Sequence, residues 1–195
     1  MKMTAFEKFF VNRPAHASGV ADHALRLLSR IEHQPGWRYL DAGCGVGSSA
    51  RRIAGATEME VMGIDVDPEQ IEAARGQNSV PNLHFSVMDA TMLEFGDSEF
   101  DIVATRMAFH HIRDWEKALH EMLRVLRTGG YLILSDFVFP SWLAKAGRNF
   151  VPLLGYPARN EIEFLASGAG LAKVHEACKF VRMDMIWSKE GDGPM

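Results

Sequence analysis

Cysteine is scarce in this chain of 195 residues, which contains Cys44 and Cys178 and no others. Two cysteines cannot form the disulfide framework of a small secreted domain or a four-cysteine zinc site. Residues 1–11 also lack the continuous apolar core of a signal peptide. We therefore expect a cytoplasmic protein, and we expect no bound metal ion.

Long apolar runs and an excess of basic residues are absent as well. The most apolar stretch, residues 131–144, is interrupted by Asp136 and Pro140 and is shorter than the roughly 20 residues that span a bilayer. The 21 Lys and Arg residues against 25 Asp and Glu residues give a net charge of −4. That balance argues against the broad basic surface with which proteins bind nucleic acid. The length predicts one domain, residues 1–195, without a nucleic-acid partner.

The order of apolar patterns along the chain predicts an α/β fold. Residues 1–33 carry two helical patterns, at 4–11 and 15–31, and residues 161–190 carry a helix followed by two closely spaced strand-like runs. Between them, strands and helices alternate, which is typical of a parallel sheet covered on both faces. The last two strands must pair antiparallel, because a parallel pair needs a long crossover. We therefore predict a doubly wound, mostly parallel sheet with an antiparallel hairpin, the predicted strands being 37–40, 59–65, 83–87, 100–105, 131–137, 172–180 and 182–188.

A glycine-rich turn follows the first predicted strand, with the sequence Asp-Ala-Gly-Cys-Gly-Val-Gly at residues 41–47. In open α/β sheets, ligands bind beyond the carboxyl ends of the strands, where such turns lie. The spacing differs from the G-x-G-x-x-G fingerprint of dinucleotide-binding turns. Asp41 precedes the first glycine by two residues, and its carboxylate would repel a pyrophosphate but attract an ammonium or sulfonium group. The turn thus favours a cationic nucleoside.

This turn resembles the first motif of class I S-adenosylmethionine-dependent methyltransferases, and further motifs of that family follow in order over residues 38–136. The second strand ends in Asp65, which by this resemblance accepts hydrogen bonds from the ribose hydroxyls. The third strand is followed by Asp89 and Ala90, which would bind the adenine ring. The resemblance implies a Rossmann-like sheet with strand order 3-2-1-4-5-7-6 and S-adenosylmethionine as the cofactor. The implied cofactor-binding residues are Asp41, Gly43, Cys44, Gly45, Asp65, Val66, Asp89, Ala90 and Arg106.

Each of these residues also has a plain structural interpretation. Glycines can serve turn geometry alone, Asp65 can face solvent, and Asp89 can be an ordinary turn residue. Asp67 is predicted to cap the following helix, with Gln70 as its capping-box partner. Arg106 is expected either to bind the cofactor's methionine carboxylate or to pair with a surface acid.

The loop after the fourth strand contains Phe109-His110-His111-Ile112 and lies, by the resemblance, beside the transferred methyl group. It lacks the Asn/Asp-Pro-Pro-Tyr/Phe motif of relatives that methylate amide or exocyclic amino groups. It resembles instead the loop of small-molecule methyltransferases related to quinone biosynthesis. Histidine can accept a proton near neutral pH. His111 and, less strongly, His110 are therefore candidate general bases, the alternative being structural hydrogen bonds.

Residues 138–160 interrupt the alternation and contain Lys145, Arg148 and Arg159 but no acidic residue. We expect this segment, with the N-terminal helices, to cover an apolar or anionic acceptor, and residues 137–160 to contact a membrane peripherally. A packed insertion with a basic rim is the alternative. Residues 37–137 would form the cofactor-binding core.

The sequence therefore predicts direct methyl transfer from S-adenosylmethionine to a small molecule. Three alternatives stay open at this point. An RNA or protein methyltransferase shares the same core, a catalytically inactive module binds the same cofactor, and a dehydrogenase uses a related fold. Asp41 and the glycine spacing argue against the last.

Overall fold

The computed structural model describes residues 14–77, 80–150, 155–179 and 181–191. Helices and strands alternate through the first half of these residues, and the predicted helix at 4–11 lies outside them. The helices are α1 (Pro14–Leu28), α2 (Ser48–Ala56), α3 (Pro68–Arg75), α4 (Trp115–Val125), α5 (Ser141–Phe150) and α6 (Arg159–Gly168), with a 3-10 turn at Phe109–His111. The strands are β1 (Arg38–Ala42), β2 (Glu60–Asp65), β3 (Leu83–Val87), β4 (Phe100–Arg106), β5 (Leu126–Phe137), β6 (Leu171–Lys179) and β7 (Arg182–Lys189).

All seven strands form one sheet in the order β3-β2-β1-β4-β5-β7-β6. The first five strands in this order are parallel, whereas β7 runs antiparallel to both β5 and β6. The predicted fold class, including the C-terminal hairpin, is confirmed. The chain order reverses between β1 and β4, so the carboxyl ends of these strands flank the crevice in which such sheets bind ligands.

The sheet separates two hydrophobic layers. One layer contains apolar residues of α4 and α6, and the other contains those of α1 and α2. Strand β5 contributes to both layers, since Leu134 packs in the first and Ile133 in the second. Side chains alternate along a strand, so Asp136 shares the α4 face with Leu134, and Ser135 shares the α1 face with Ile133. The end of β5 thus presents one polar side chain to each face.

Several predicted helix signals are confirmed and others are wrong. The Asp67 carboxylate caps α3 by accepting a hydrogen bond from the Glu69 amide (3.1 Å), but Gln70 does not complete a capping box, and its buried Oε1 has no partner among the described residues. Asp114 occupies the N-cap position of α4 without a capping hydrogen bond from its side chain. The helical pattern of residues 114–127 predicts that Gly129 ends the helix, but Gly129, although it has a positive φ of 75°, does not end α4. That helix already ends at Val125, because the next residue, Leu126, is extended and pairs with Phe100 of β4.

None of the described helices has both the length and the apolar character required to cross a bilayer.

Candidate cofactor cleft and active site

The glycine-rich turn leaves β1 with its backbone in the left-handed region. Gly43, Gly45 and Gly47 have φ values of 78°, 54° and 76°, which L side chains rarely adopt. A Cβ atom on Gly43 would also collide with the Ala108 side chain, so the loop after β4 packs directly on this turn. At Gly45 the nearest atom to such a Cβ would be Gln70 Oε1 at 3.8 Å, which leaves space beside the backbone.

A cleft of about 240 Å³ opens at the carboxyl ends of β1, β2 and β4. The structure brings every predicted cofactor-binding residue to its wall, together with His111. His110 is not among the lining residues. The predicted members of the wall are Asp41, Gly43, Cys44, Gly45, Asp65, Val66, Asp89, Ala90 and Arg106.

Asp65 fixes the backbone on both sides of the cleft. Its Oδ2 accepts a hydrogen bond from the Gly45 amide (2.9 Å), and its Oδ1 accepts one from the Asp67 amide (2.9 Å). Burial raises the pKa of Asp65, while these two amide donors act in the opposite direction. Carboxylate oxygens accept more than one hydrogen bond, so Asp65 can organise the turn and still accept from a ligand hydroxyl.

Asp41 and Arg106 form a buried ion pair at the base of the cleft. Arg106 Nη2 donates to Asp41 Oδ1 (2.8 Å), and Arg106 Nη1 donates to the Tyr39 hydroxyl (2.7 Å). Burial raises the pKa of Asp41, which Arg106 partly offsets, and burial raises that of Tyr39 to about 12. The expectation of a surface acid as the partner of Arg106 is wrong, because both side chains are at most 3% exposed.

Asp89 forms the predicted turn, since its Oδ1 accepts hydrogen bonds from the amide (2.8 Å) and the hydroxyl (2.9 Å) of Thr91. Because Asp89 also lines the cleft, its role in this turn is compatible with a contact to a ligand. Cys44 lies in the turn itself, where burial raises the pKa of its thiol well above the usual value. A protonated, buried thiol is a poor nucleophile, so Cys44 serves as part of the wall.

The two histidines of the 109–112 loop occupy different positions. Their rings pack against each other with centroids 4.0 Å apart, and His111 lines the cleft. His110 lies behind it, where its Nδ1 is hydrogen-bonded to Asp136 Oδ1. Asp136 is fully buried and also accepts from the amides of Phe109 (2.7 Å) and Phe137 (2.6 Å). Asp136 therefore anchors the loop that carries both histidines.

Several residues of the cleft have no role that the sequence predicted. Asp136 was noted only as an interruption of an apolar stretch, although a carboxylate at the end of a buried strand must find partners. Val20 of α1 lines the cleft, but nothing in its helical pattern distinguishes it from a core residue. Met107 has a φ of 50°, an uncommon conformation for a residue other than glycine, and no sequence signal predicts it. Others missed are Val46, Ser48, Ser49, Asp67, Met88, Thr91, Ala108, Ile112, Arg113 and Asp114.

The 138–160 segment approaches the histidine loop from outside the cleft. The Gly155 amide donates to the carbonyl oxygen of His110 (3.0 Å), and no described residue of the segment lines the cleft itself. Arg159 forms ion pairs with Glu163 (3.3 Å) and Glu176, so its charge is already matched. Lys145 is exposed, and the side chain of Arg148 is outside the described part of the structure. Within that part, no cluster of His, Cys, Asp and Glu could hold a metal ion.

Comparisons with known proteins agree with this geometry. A family model described as a methyltransferase domain matches residues 40–134. The O-methyltransferase cnsE of Penicillium expansum is 36% identical over 127 residues, which cover 63% of this chain and 46% of that protein. The demethylmenaquinone methyltransferase of Renibacterium salmoninarum is 34% identical over 116 residues, covering 60% and 48%. The chain thus spans about half the length of the curated relatives it matches.

A solved structure extends the fold comparison over nearly the whole chain. A Haloferax volcanii methyltransferase, solved in complex with the Trm112 methyltransferase activator, superposes with a TM-score of 0.77 and 18% identity, covering 98% of this chain and 100% of that one. At this identity the likeness shows the fold alone. The family prediction is nevertheless confirmed by the match over the sheet and its glycine-rich turn. Residues 40–134 of this chain match the methyltransferase domain family, as the motifs in the sequence predict.

Proposed function

We propose that this protein transfers a methyl group from S-adenosylmethionine to a small-molecule acceptor. The observation that carries the proposal is the convergence of all nine predicted cofactor residues on one cleft of about 240 Å³. The curated relatives support the same reaction class, since their names describe methyltransferases, one of them for demethylmenaquinone and another for 27-O-demethylrifamycin SV. We retain the single-domain organisation and the cytoplasmic location as part of this proposal.

The residues present fit the cofactor. Asp41 Oδ2 is buried and has no hydrogen-bond partner among the described residues, so an acceptor is available beside the glycine-rich turn. The open space at Gly45 lets a ligand approach the backbone closely. We assign the ribose hydroxyls to Asp65, the adenine ring to Asp89 and Ala90, and the amino-acid end to the Asp41–Arg106 pair. When bound, the cofactor supplies an electrophilic methyl group on a sulfonium with a neutral leaving group.

We assign proton removal to His111, for an acceptor whose reacting atom is a hydroxyl oxygen. His111 lies in the cleft wall, where an imidazole can take a proton near neutral pH. His110 and Asp136 are positioning residues in this scheme. The Asp136 carboxylate holds the His110 ring, and that ring packs on His111. Methyl transfer otherwise requires alignment and exclusion of water, which the packed walls of the cleft supply.

The acceptor is proposed to be apolar or anionic and to enter beneath the 138–160 segment. The hydrogen bond from Gly155 to His110 supports this placement, because it joins the segment to the loop beside the methyl group. Peripheral membrane contact is proposed through α5, where Trp142 is 72% exposed and Lys145 lies three residues along the helix. A Trp142→Ala variant should then bind anionic vesicles less well than the unchanged protein while retaining cofactor affinity.

Calorimetry with S-adenosylhomocysteine tests the central proposal. We expect binding by the unchanged protein and at least tenfold weaker binding by Asp65→Ala, because charge-assisted hydrogen bonds to both ribose hydroxyls are lost. Glu60→Gln, at the exposed amino end of the same strand, serves as the matched control and should bind normally. Binding of NAD in place of S-adenosylhomocysteine, or equal affinities for the two variants, would contradict the proposal.

A further inference from the structure

A second recess of about 480 Å³ lies between α1 and the β6–β7 hairpin. It is distinct from the cofactor cleft, but Val20 lines both. Its remaining wall comes from one face of α1 and from the strands of the hairpin on either side of their turn. The lining residues are Gly19, Val20, His23, Arg26, Ala177, Cys178, Lys179, Arg182 and Asp184.

The charged residues of this recess are mostly basic, although the chain as a whole carries a net charge of −4. Arg26, Lys179 and Arg182 face one carboxylate, Asp184, so the recess carries two more cations than anions with His23 neutral. Asp184 is already engaged, because it accepts hydrogen bonds from the Ser135 hydroxyl (2.6 Å) and from His23 Nε2 (3.0 Å). Asp184, the only carboxylate among the described lining residues, is therefore already hydrogen-bonded within the protein.

The cations of the recess, in contrast, have side-chain N–H groups that do not donate to any described residue. Arg26 and Lys179 have no ion-pair or hydrogen-bond partner for their side chains among the described residues. Arg182 Nη2 contacts His23 Nδ1 at 3.3 Å, and its Nε is buried without a partner in the same part of the chain. Burying an N–H donor without an acceptor is costly, so Arg182 Nε is suited to donate to an acceptor that the described residues do not provide.

The hydrogen bonds also define the state of His23. Arginine can only donate, so the contact with Arg182 makes His23 Nδ1 the acceptor and places the imidazole proton on Nε2, toward Asp184. Ser135, Asp184, His23 and Arg182 therefore form a continuous chain of hydrogen bonds. That chain holds the Arg182 guanidinium in place at the wall of the recess.

We propose that this recess is an oxyanion-binding subsite that holds a phosphate or carboxylate group of the acceptor. Three cations with unused N–H donors suit such a group, since charge-assisted bonds to oxyanions are among the strongest that side chains make. Because Val20 borders both spaces, an acceptor anchored here extends into the cofactor cleft with its opposite end. The anion site stands on the recess alone, whereas its assignment to the acceptor rests on the proposed function.

Titration of the protein with phenyl phosphate, benzoate, inorganic phosphate and phenol tests the subsite. With S-adenosylhomocysteine bound, we expect the ring signals of His23 in NMR spectra to shift with the anions and to stay unchanged with neutral phenol. The relative affinities for phenyl phosphate and benzoate identify the preferred oxyanion. Tight binding of inorganic phosphate alone would instead indicate a site for free phosphate, and would overturn the assignment to the acceptor.

Matched variants locate the binding. Arg182→Gln and Lys179→Gln should each weaken binding of the preferred anion about tenfold, through loss of charge-assisted hydrogen bonds. Arg30→Gln, just beyond the end of α1 and outside the recess, should change the affinity for that anion by less than about twofold. Lys179 is exposed, so its substitution leaves the fold intact. Equal affinities in all three variants, or no response of the unchanged protein to any anion, would overturn the subsite.

The affinity for S-adenosylhomocysteine is measured for the same proteins. It should stay constant, because none of the substituted residues lines the cofactor cleft. Should the unchanged protein fail to bind S-adenosylhomocysteine, the proposed function is wrong, and the anion titration is repeated without it. The two failures are therefore distinguishable.

Discussion

A histidine–aspartate pair lies on each face of the sheet at the end of β5. The two pairs differ in the hydrogen-bond partners of their carboxylates. On the α4 face, Asp136 is fully buried and bonds His110. On the α1 face, Ser135 donates to Asp184, which bonds His23 and has a side chain 19% exposed. Adjacent residues of one strand thus support two acid–base pairs with different surroundings.

The difference lies in whether the partners can adapt. Asp136 accepts from two backbone amides, of Phe109 and Phe137, which can only donate. Asp184 accepts from the Ser135 hydroxyl, which can rotate to accept, and from His23 Nε2, whose proton the contact with Arg182 keeps in place. The first pair therefore fixes a loop in one conformation, whereas the second can adjust to a ligand. This contrast matches the roles that we assign to the two faces.

The largest expected effect is the loss of stability on replacing Asp136. In Asp136→Asn one amide N–H₂ must face a backbone N–H, and the resulting unpaired buried donors should lower the free energy of unfolding by about 3 kcal/mol. Asp184→Asn should cost only about 1 kcal/mol, because the Ser135 hydroxyl can accept from the new amide N–H₂ while the amide oxygen still accepts from His23. Urea unfolding followed by circular dichroism measures both values.

Asp97→Asn is the control for the loss of a carboxylate charge without burial, since the Asp97 side chain is 79% exposed. It should change the free energy of unfolding by less than about 0.5 kcal/mol. If Asp184→Asn proves as destabilising as Asp136→Asn, the distinction between fixed and adaptable partners is wrong.

The next effect concerns the histidines of the cofactor side. His111→Gln should lower kcat about 100-fold with a hydroxyl acceptor, the low end of what a general base contributes. It should also abolish the fall of kcat at acid pH, while the affinity for S-adenosylhomocysteine stays unchanged. His110→Gln should lower kcat by a smaller factor and keep the pH profile, since His110 only positions its neighbour.

Steady-state rates across pH separate these expectations, with His120→Gln, an exposed histidine of α4 that lines neither the cleft nor the recess, as the matched control. That variant should leave kcat within a fewfold at saturating acceptor. A loss of the acid limb in His110→Gln rather than in His111→Gln would exchange the two roles. Unchanged rates in both would show that the acceptor needs no base.

The sequence was most informative where chemistry and chain order coincide. The glycine turn, Asp65 and Asp89 each lie at the carboxyl end of a strand, so the topology alone brings them to one edge of the sheet. The end of α4 at Val125 was not predictable from Gly129, because strand pairing of Leu126 with Phe100 overrides the local glycine signal. Local signals thus located the elements, while long-range pairing decided their ends.

The second histidine–aspartate pair illustrates what sequence reasoning could not find. His23 and Asp184 are 161 residues apart, and neither belongs to a motif. Their contact depends on α1 packing against the face of the sheet on which Ser135 lies, which no spacing rule predicts. Asp136 was closer to recognition, since an acid within an apolar run requires a buried partner.

The smallest expected effect is a change in acid stability caused by Asp184. Burial by itself raises the pKa of Asp184, but the hydrogen bonds from His23 and Ser135 outweigh it and hold that pKa below the ordinary value. A carboxyl group with a lowered pKa stabilises the fold above its unfolded-state pKa, about 4, and loses this contribution as the pH falls through the folded-state value.

The difference in unfolding free energy between the unchanged protein and Asp184→Asn should therefore hold from neutral pH to about pH 4 and shrink below it. Urea titrations at a series of pH values follow this difference, which begins at only about 1 kcal/mol. Arg30→Gln, at an exposed position outside the recess, should show the same acid dependence as the unchanged protein. A difference that widens below pH 4 would mean that the Asp184 pKa is raised in the folded state. The His23–Asp184 pair on the α1 face would then resemble the buried His110–Asp136 pair on the α4 face, and the contrast between them would be lost.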